Sequence, residues 1–582
     1  MKKIAKLFVL AALILLLFTG VASAQTWVVT SAGDTANPVN VSAINQSNMT
    51  LREAIAIASS GDTIVFADNI ASVVVTNGTL NITKDLTIGG SSNVIVARNT
   101  SAVTREMSVF TVTGANVTFR YLIIENGLVR GTGGGVMIDR SNVTFNSCII
   151  RNNRADTGGG VFVANGSNVT FISSSLFRNN GTTDGSAIYI QNGRVELQNS
   201  FIDGHSSRHN VVQLSRGELI ASGTQIANNV ITVGGSPINA SSGTTVEFRN
   251  STFSNNTATG GSAGIATSGT LLVENCVFDR GVSSGNGGGI DLRSGSVGTV
   301  RYSIFSNADL TGDGGGININ AGAAATIHTC TFLNNTANYG GAIFNRGAAN
   351  ITAMTAVNNT ARSFGGAIAS WNDGNLTLTR SVLAGNEARS NNTPRETGGG
   401  GLNVSNSRAV LSNNVIVGNN DPRNVDLSER NATIQSGGNN LVGVYNGTGR
   451  FPIVGTDDLG ILAADVFVIE NGLPLVARAT GHMAGGIDRV PVFTVVLNSS
   501  PNNPAAAVLG VTDPRPPETP TPPPTPPEPP STPDDESGSV AISGMVMLLL
   551  FGIVAFVLLI IIAIAVILLL LRYNEKRKYK FG

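Results

Sequence analysis

Three groups of side chains in this sequence could do chemistry. Asp203, His205, Arg208 and His209 fall in one short stretch and include two of the chain's four histidines. A carboxylate beside an imidazole suits proton transfer or metal binding. The simpler reading is an exposed, irregular turn around Gly204, with no metal site and no cofactor. Tyr339, Phe364 and Trp371, with Arg346, form a second group of another kind. Aromatic faces beside a guanidinium hold sugar rings or a protein loop. The third group is Cys148, Cys276 and Cys330.

Polysaccharide lyases and hydrolases need acids that converge, either to hold a cation or to work as a pair. The spacing argues against that here. Asp139 and Asp291 occupy different positions of a repeat, and Asp184 and Asp313 share a position but lie five repeats apart. Asp457 and Asp458 lie near the far end. The expectation is therefore a protein that is not an enzyme.

The repeat that positions these residues is short and regular. A Gly-rich turn and a β-branched residue recur as Gly133-Gly-Gly-Val136, Gly158-Gly-Gly-Val161, Gly185-Ser-Ala-Ile188, Gly287-Gly-Gly-Ile290, Gly314-Gly-Gly-Ile317, Gly340-Gly-Ala-Ile343 and Gly365-Gly-Ala-Ile368. Weaker copies stand at Val212, Ile238 and Ile265, and successive steps run 25, 27, 24, 26, 27, 25, 27, 26 and 25 residues. A second strand recurs as Cys148-Ile-Ile150, Ser175-Leu-Phe177, Ser251-Thr-Phe253, Cys276-Val-Phe278, Ser303-Ile-Phe305 and Cys330-Thr-Phe332. Alternation points its first and third residues into a core. Just beyond it an Asn recurs, at 126, 152, 179, 228, 255, 307, 334 and 359.

Short strands joined by Gly and Asn turns, one unit per ~26 residues, predict an all-β parallel β-helix, a solenoid over residues 25–450. Stacked Asn amides would bond along the axis. Cys276 and Cys330, two coils apart, would be ~10 Å distant, too far for a disulfide. Residues 51, 54, 55 and 58 are apolar at helical spacing, which predicts a cap around 51–60. Residues 451–511 are expected to cover the other end.

Gly340-Gly-Ala-Ile343 with Phe332-Leu-Asn334 resembles the paired GGAI and FxxN repeats of chlamydial polymorphic outer-membrane proteins. Leu51-Arg-Glu-Ala-Ile55 with Gly61-Asp-Thr-Ile-Val-Phe66 resembles the opening segment of bacterial secreted β-helix surface proteins, and Asn439-Asn-Leu-Val-Gly443 their closing one. The resemblance implies a right-handed parallel β-helix and an adhesin-like or display role. The chlamydial proteins end in a β-barrel; this chain ends in one apolar stretch, so autotransport is not implied.

Composition agrees with a surface protein. Net charge is +0 and only 13% of residues are charged, which excludes a basic stripe and argues against nucleic acid as a partner. Residues 1–24 read as a secretory signal, with Lys2, Lys3 and Lys6, an apolar run, and Ala22-Ser23-Ala24 before Gln25. Twelve of the 21 prolines fall between Pro514 and Pro533, a stalk within 512–539. Residues 540–571 carry no charge and predict a C-terminal transmembrane helix, and the tail 572–582 holds five Lys or Arg, which places it inside the cell. The expected protein is a single-pass, type I cell-membrane protein with its β-helix outside, acting in adhesion or display and binding a glycan or another surface protein. The alternatives are a membrane-tethered carbohydrate-active enzyme and a structural envelope protein.

Overall fold

The computed structural model describes residues 24–101, 106–390, 398–447, 451–461, 467–470 and 473–476, all within the compact unit Met1–Asp513. The signal before Ala24, the stalk, the 540–571 span, the basic tail and most of the 451–511 region lie outside the described residues. Among the described residues no helix is long and apolar enough to cross a membrane.

The chain winds into a right-handed parallel β-helix. One coil shows the plan, with strands at Ile343–Asn345, Ala348–Thr352, Thr355–Val357 and Thr360–Ala361. Each pairs in parallel with its counterpart one coil on: Ile343 with Ile368, Ala349 with Leu376, Thr355 with Val382, Thr360 with Glu387. First strands make a 15-stranded sheet, second and third strands a 30-stranded one, and the short fourth strands an 8-stranded one.

The register of the first strands is that of the glycine turns. Val136, Val161, Ile188, Val212, Ile238, Ile265, Ile290, Ile317, Ile343 and Ile368 pair in succession. The column continues back to Phe110 and on to Leu402 and Leu427, where the sequence motif is weak. The turn needs glycine: Gly287 has φ +71°, and a Cβ there would collide with the Ile290 carbonyl.

The second recurring strand holds as expected at Cys148, Ser251, Cys276, Ser303 and Cys330, but not at Ser175-Leu-Phe177. Ile150 pairs with Leu176 and Arg151 with Phe177, so Ser174 and Leu176 face inward. Phe177 lies outside, under the Arg151 guanidinium at 5.8 Å. A slip of one residue exchanges the two faces of a strand.

The recurring Asn divides in the same way into two adjacent columns. Asn126, Asn152, Asn228, Asn255, Asn307 and Asn334 are turn residues with φ between 54° and 64°. Asn179 and Asn359 belong to the next position, which is buried and continues through Asn153, Asn229, Asn256, Asn335 and Asn386. There each amide bonds along the axis: Asn335 Nδ2 to Asn359 Oδ1 at 2.9 Å, Asn359 Nδ2 to Asn386 Oδ1 at 2.9 Å. The backbone N–H groups of Asn335 and Asn359 follow the same route, at 3.0 Å each. Where one Asn follows another, the ladder satisfies both the side-chain amide and the backbone N–H. It ends on a carboxylate, Asn419 Nδ2 donating to Asp426 Oδ1 at 3.0 Å.

Coil spacing also sets the aromatic packing. Phe253, Phe278, Phe305 and Phe332 stack with centroids 4.6, 4.8 and 4.8 Å apart and rings within 10° of parallel. The three cysteines are free and buried, and burial pushes each thiol up to about 12.

At the N-terminal end a helix over Leu51–Ile57 opens with a Thr50–Glu53 capping box and buries Leu51, Ala54 and Ile55. Its Arg52 pairs with Asp34 at 2.7 Å. At the other end parallel pairing runs past residue 450, Asp458–Leu459 joining Leu441–Val442.

Candidate functional site

In each first strand the residues at and two after the Ile face the core, so the residue between them points outward. That outward row is nevertheless buried in several coils: Asp291 is 7% exposed, Asn318 0% and Phe344 4%. Residues from two flanking positions cover it, one four before the Ile and one three after. The row, with its two borders, is the face that gathers the molecule's chemistry.

Tyr339, Phe364, Trp371 and Arg346 converge there. The Tyr339 ring lies 5.8 Å from Phe364 and 4.8 Å from Trp371, edge-on at 85°. Phe364 and Trp371 are 5.6 Å apart. Phe344, which the sequence reading missed, forms the floor, 5.7 Å from Tyr339 and 5.6 Å beneath the Arg346 guanidinium. Alternation from Ile343 is the signal that would have found it. The other three rings stay half-buried, each with part of its surface open to solvent.

A line of polar contacts leads away from this cluster along the axis. Arg346 Nη2 donates to Asn320 Oδ1 at 2.8 Å, and Asn320 Nδ2 to Asp291 Oδ1 at 2.9 Å. Asp291 also accepts from Asn318 at 2.6 Å and pairs with Arg293 at 3.2 Å. Arg293 spans a coil to reach Asn239 at 2.8 Å, Asn239 donates to Gln213 at 2.7 Å, and Asn210 joins Gln213 to Asp184 at 2.9 and 3.0 Å. From the coil of Asp184 to that of Trp371 is seven coil steps, ~34 Å at ~4.8 Å each. Among the described residues two buried atoms on the line have no partner, Asn318 Oδ1 and Arg346 Nε.

Two acids on this face have raised carboxyls. Burial lifts Asp313 against the opposing effects of Asn338, the Tyr339 backbone and Arg346, and burial lifts Asp184 against Gly185 and Asn210. Five coils, ~24 Å, separate them, so they cannot act on one bond. Among the described residues no group of three His, Cys, Asp or Glu could hold a metal ion.

Asp203, His205, Arg208 and His209 are not brought together. Gly204 takes the turn position with φ 61°, so the next residue points inward. His205 therefore stands in the buried Asn column, 1% exposed, not on an exposed turn. Its Nδ1 lies 3.2 Å from Asn229 Oδ1, its Nε2 has no partner among the described residues, and burial depresses it to about 4. Asp203 faces out and accepts from Asn228 at 2.7 Å; Arg208 is exposed. His209 meets the Gly234 carbonyl at 3.1 Å, on the border near Asp184.

Residues 186–361 match the family described as right handed beta helix region. No curated protein matches the chain. Among solved structures it is similar to tailspike protein 3 of bacteriophage CBA120, 12% identical, over 69% of this chain and 59% of that one, with a TM-score of 0.27. A tailspike protein mutant of E. coli bacteriophage HK620 in complex with a pentasaccharide is 12% identical over 65% and 73% of the two chains, TM-score 0.29. A PL6 alginate lyase in complex with a trisaccharide is 14% identical over 78% and 91%, TM-score 0.28.

Proposed function

We propose that this protein is a cell-surface adhesin or display protein, held by its C-terminal span with the β-helix outside, and that the outward row of its first strands binds a linear glycan lying along the axis. The observation that carries this reading is the meeting of Tyr339, Phe344, Phe364 and Trp371 beside Arg346. A half-open aromatic platform offers apolar faces to sugar rings. The amides and ion pairs that continue from it offer donors and acceptors to hydroxyls, and their line suits a long chain better than a single sugar. The composition of the ends supports the anchored, extracellular placement.

The test is binding of the purified full-length chain to a panel of polysaccharides and their oligomers. Affinity should rise with oligomer length, and Trp371→Ala should weaken it about tenfold, ~1.4 kcal/mol. Phe177→Ala, which removes an aromatic ring elsewhere on the solenoid, should leave binding intact. Equal loss in both variants, or none in either, would remove the platform from the reading. Release of reducing or unsaturated ends during incubation would favour a tethered carbohydrate-active enzyme instead.

A further inference from the structure

Asp62 is a covered carboxylate in a charge-poor solenoid and, like Asp426, it is held by neutral N–H donors. It is 4% exposed, shielded from solvent although it lies in the first coils. Its Oδ2 accepts from Ser59 N–H at 2.7 Å and Trp27 Nε1 at 2.9 Å. Its Oδ1 accepts from the backbone nitrogen of Gln25 at 2.8 Å. Among the described residues it makes no ion pair; Lys84, the nearest cation acting on it, spends its ammonium on the carbonyls of Ala56 and Ala58. Covered carboxylates are normally matched by a cation. The Gln25 carbonyl meanwhile accepts from Thr63 N–H at 2.9 Å, which fixes Gln25 in parallel register with the strand Asp62–Phe66.

A cation bonded directly to Asp62 has a source in the sequence. Gln25 follows Ala22-Ser23-Ala24, the small-residue pattern of a leader cleavage site. Ala24 and Gln25 are both exposed, so the bond between them is within reach of an endopeptidase. Hydrolysis there breaks the C–N bond: water's oxygen completes the Ala24 carboxylate, and the Gln25 nitrogen leaves as an amine that takes up a proton. That nitrogen is already the one on Asp62.

We propose that Asp62 is a binding site for the chain's own new N-terminus, the Gln25 α-ammonium released by leader cleavage. The pairing replaces a neutral N–H donor by a charged one at the same place, which shortens and strengthens the contact. It strengthens the hold of the first strand, Thr26–Val29, on the second once the leader is gone. It also protects Gln25. An N-terminal glutamine cyclises when its neutral α-amine attacks the side-chain amide carbon and expels ammonia; an amine kept protonated by Asp62 lacks the lone pair to do so. This inference rests on residues 1–24 being a leader and is independent of the glycan-binding face.

The test uses the full-length chain purified from a secreting host. Lys84 is the one lysine between Lys6 and Lys576, so amine labels in the ectodomain report on two positions that peptide mass spectrometry separates. The mature chain should begin at Gln25. Its α-amine, although exposed, should acylate about fivefold more slowly at pH 8 in the native protein than in denaturant, the effect of a one-unit rise from a pKa near 8. Asp62→Asn should remove that difference and accumulate cyclised Gln25 severalfold faster on storage. A chain that begins elsewhere, or a native amine as reactive as the denatured one, would overturn the proposal. The native-against-denatured comparison needs only the unsubstituted chain, so it decides the matter even if Asp62→Asn does not fold.

Discussion

His205→Asn should stabilise the protein, and more so in acid. At neutral pH His205 leaves Nε2 buried without a partner, a penalty of about 1–3 kcal/mol. It also offers no carbonyl to the Asn179 N–H, where Asn179 and Asn256 do offer one to Asn153 and Asn229, at 3.1 Å each. An Asn at 205 supplies that acceptor, worth about 1 kcal/mol. The smaller side chain returns part of the gain as lost contact, leaving a net about 1–2 kcal/mol. The pH dependence follows from the proton. Unfolded His titrates near 6.5, and His205 in the fold near 4. The unfolded chain therefore binds the proton first, and stability falls as pH drops below about 6.5 until the folded group titrates. At pH 4.5 that is two units, about 2.7 kcal/mol. The advantage of His205→Asn should thus widen from about 1–2 kcal/mol at pH 7.5 to about 4 kcal/mol at pH 4.5. Solenoids of this length need not unfold in one step, so the assay is native-state hydrogen exchange over residues 201–231, comparing the two proteins at each pH. A gap that does not change with pH would show that His205 is not held neutral, and a less stable variant would refute the ladder argument itself.

Three further outcomes test the fold. Asn359→Ala removes an amide bonded to Asn335, Phe332 and Asn386, and exchange in the neighbouring coils should reveal a loss of about 3–5 kcal/mol; Asn334→Ala, on the turn column, should cost about 1 kcal/mol. Cys148, Cys276 and Cys330, their thiols pushed up to about 12 by burial, should resist alkylation at pH 8 until denaturant is added and then take up three labels. Phe305→Ala opens a gap between Phe278 and Phe332, each 4.8 Å away, and should lower local stability by about 3–5 kcal/mol in the same exchange experiment.

What was legible in the sequence follows from how many residue types a position admits. The glycine that opens each first strand sits at positive φ with no room for a Cβ, as at Gly287, so glycine marks the register without ambiguity. Asn is different because it suits both the left-handed turn and the buried ladder beside it. Asn152-Asn153, Asn255-Asn256 and Asn334-Asn335 fill both. Spacing alone could not say which member faced in, and the recurring Asn became a mixture of the two. The same ambiguity hid His205, since its neighbour Gly204 is an ordinary occupant of the turn column rather than an interruption. Ser173-Ser-Ser175 offered three small residues where one was needed, and the strand was placed one residue late.

The proposed binding face shows the complementary logic. Along the first strands the Ile position holds Val or Ile ten times running from Val136 to Ile368, because every occupant must fill the same slice of core. The next position over the same ten coils holds Met137, Phe162, Tyr189, Gln213, Asn239, Ala266, Asp291, Asn318, Phe344 and Ala369. Its occupants point away from the core, and the turn is already determined by the glycines before it. Nothing in the coil geometry dictates their chemistry, so a repeat can vary there without unfolding its neighbours. Aromatic rings collected on adjacent coils at such a free position are not required by the solenoid. Tyr339, Phe364 and Trp371, on the borders of that row and only half-buried, add little to a core already filled by Ile343 and Ile368. Their convergence is therefore better explained by something the face holds than by anything the fold needs.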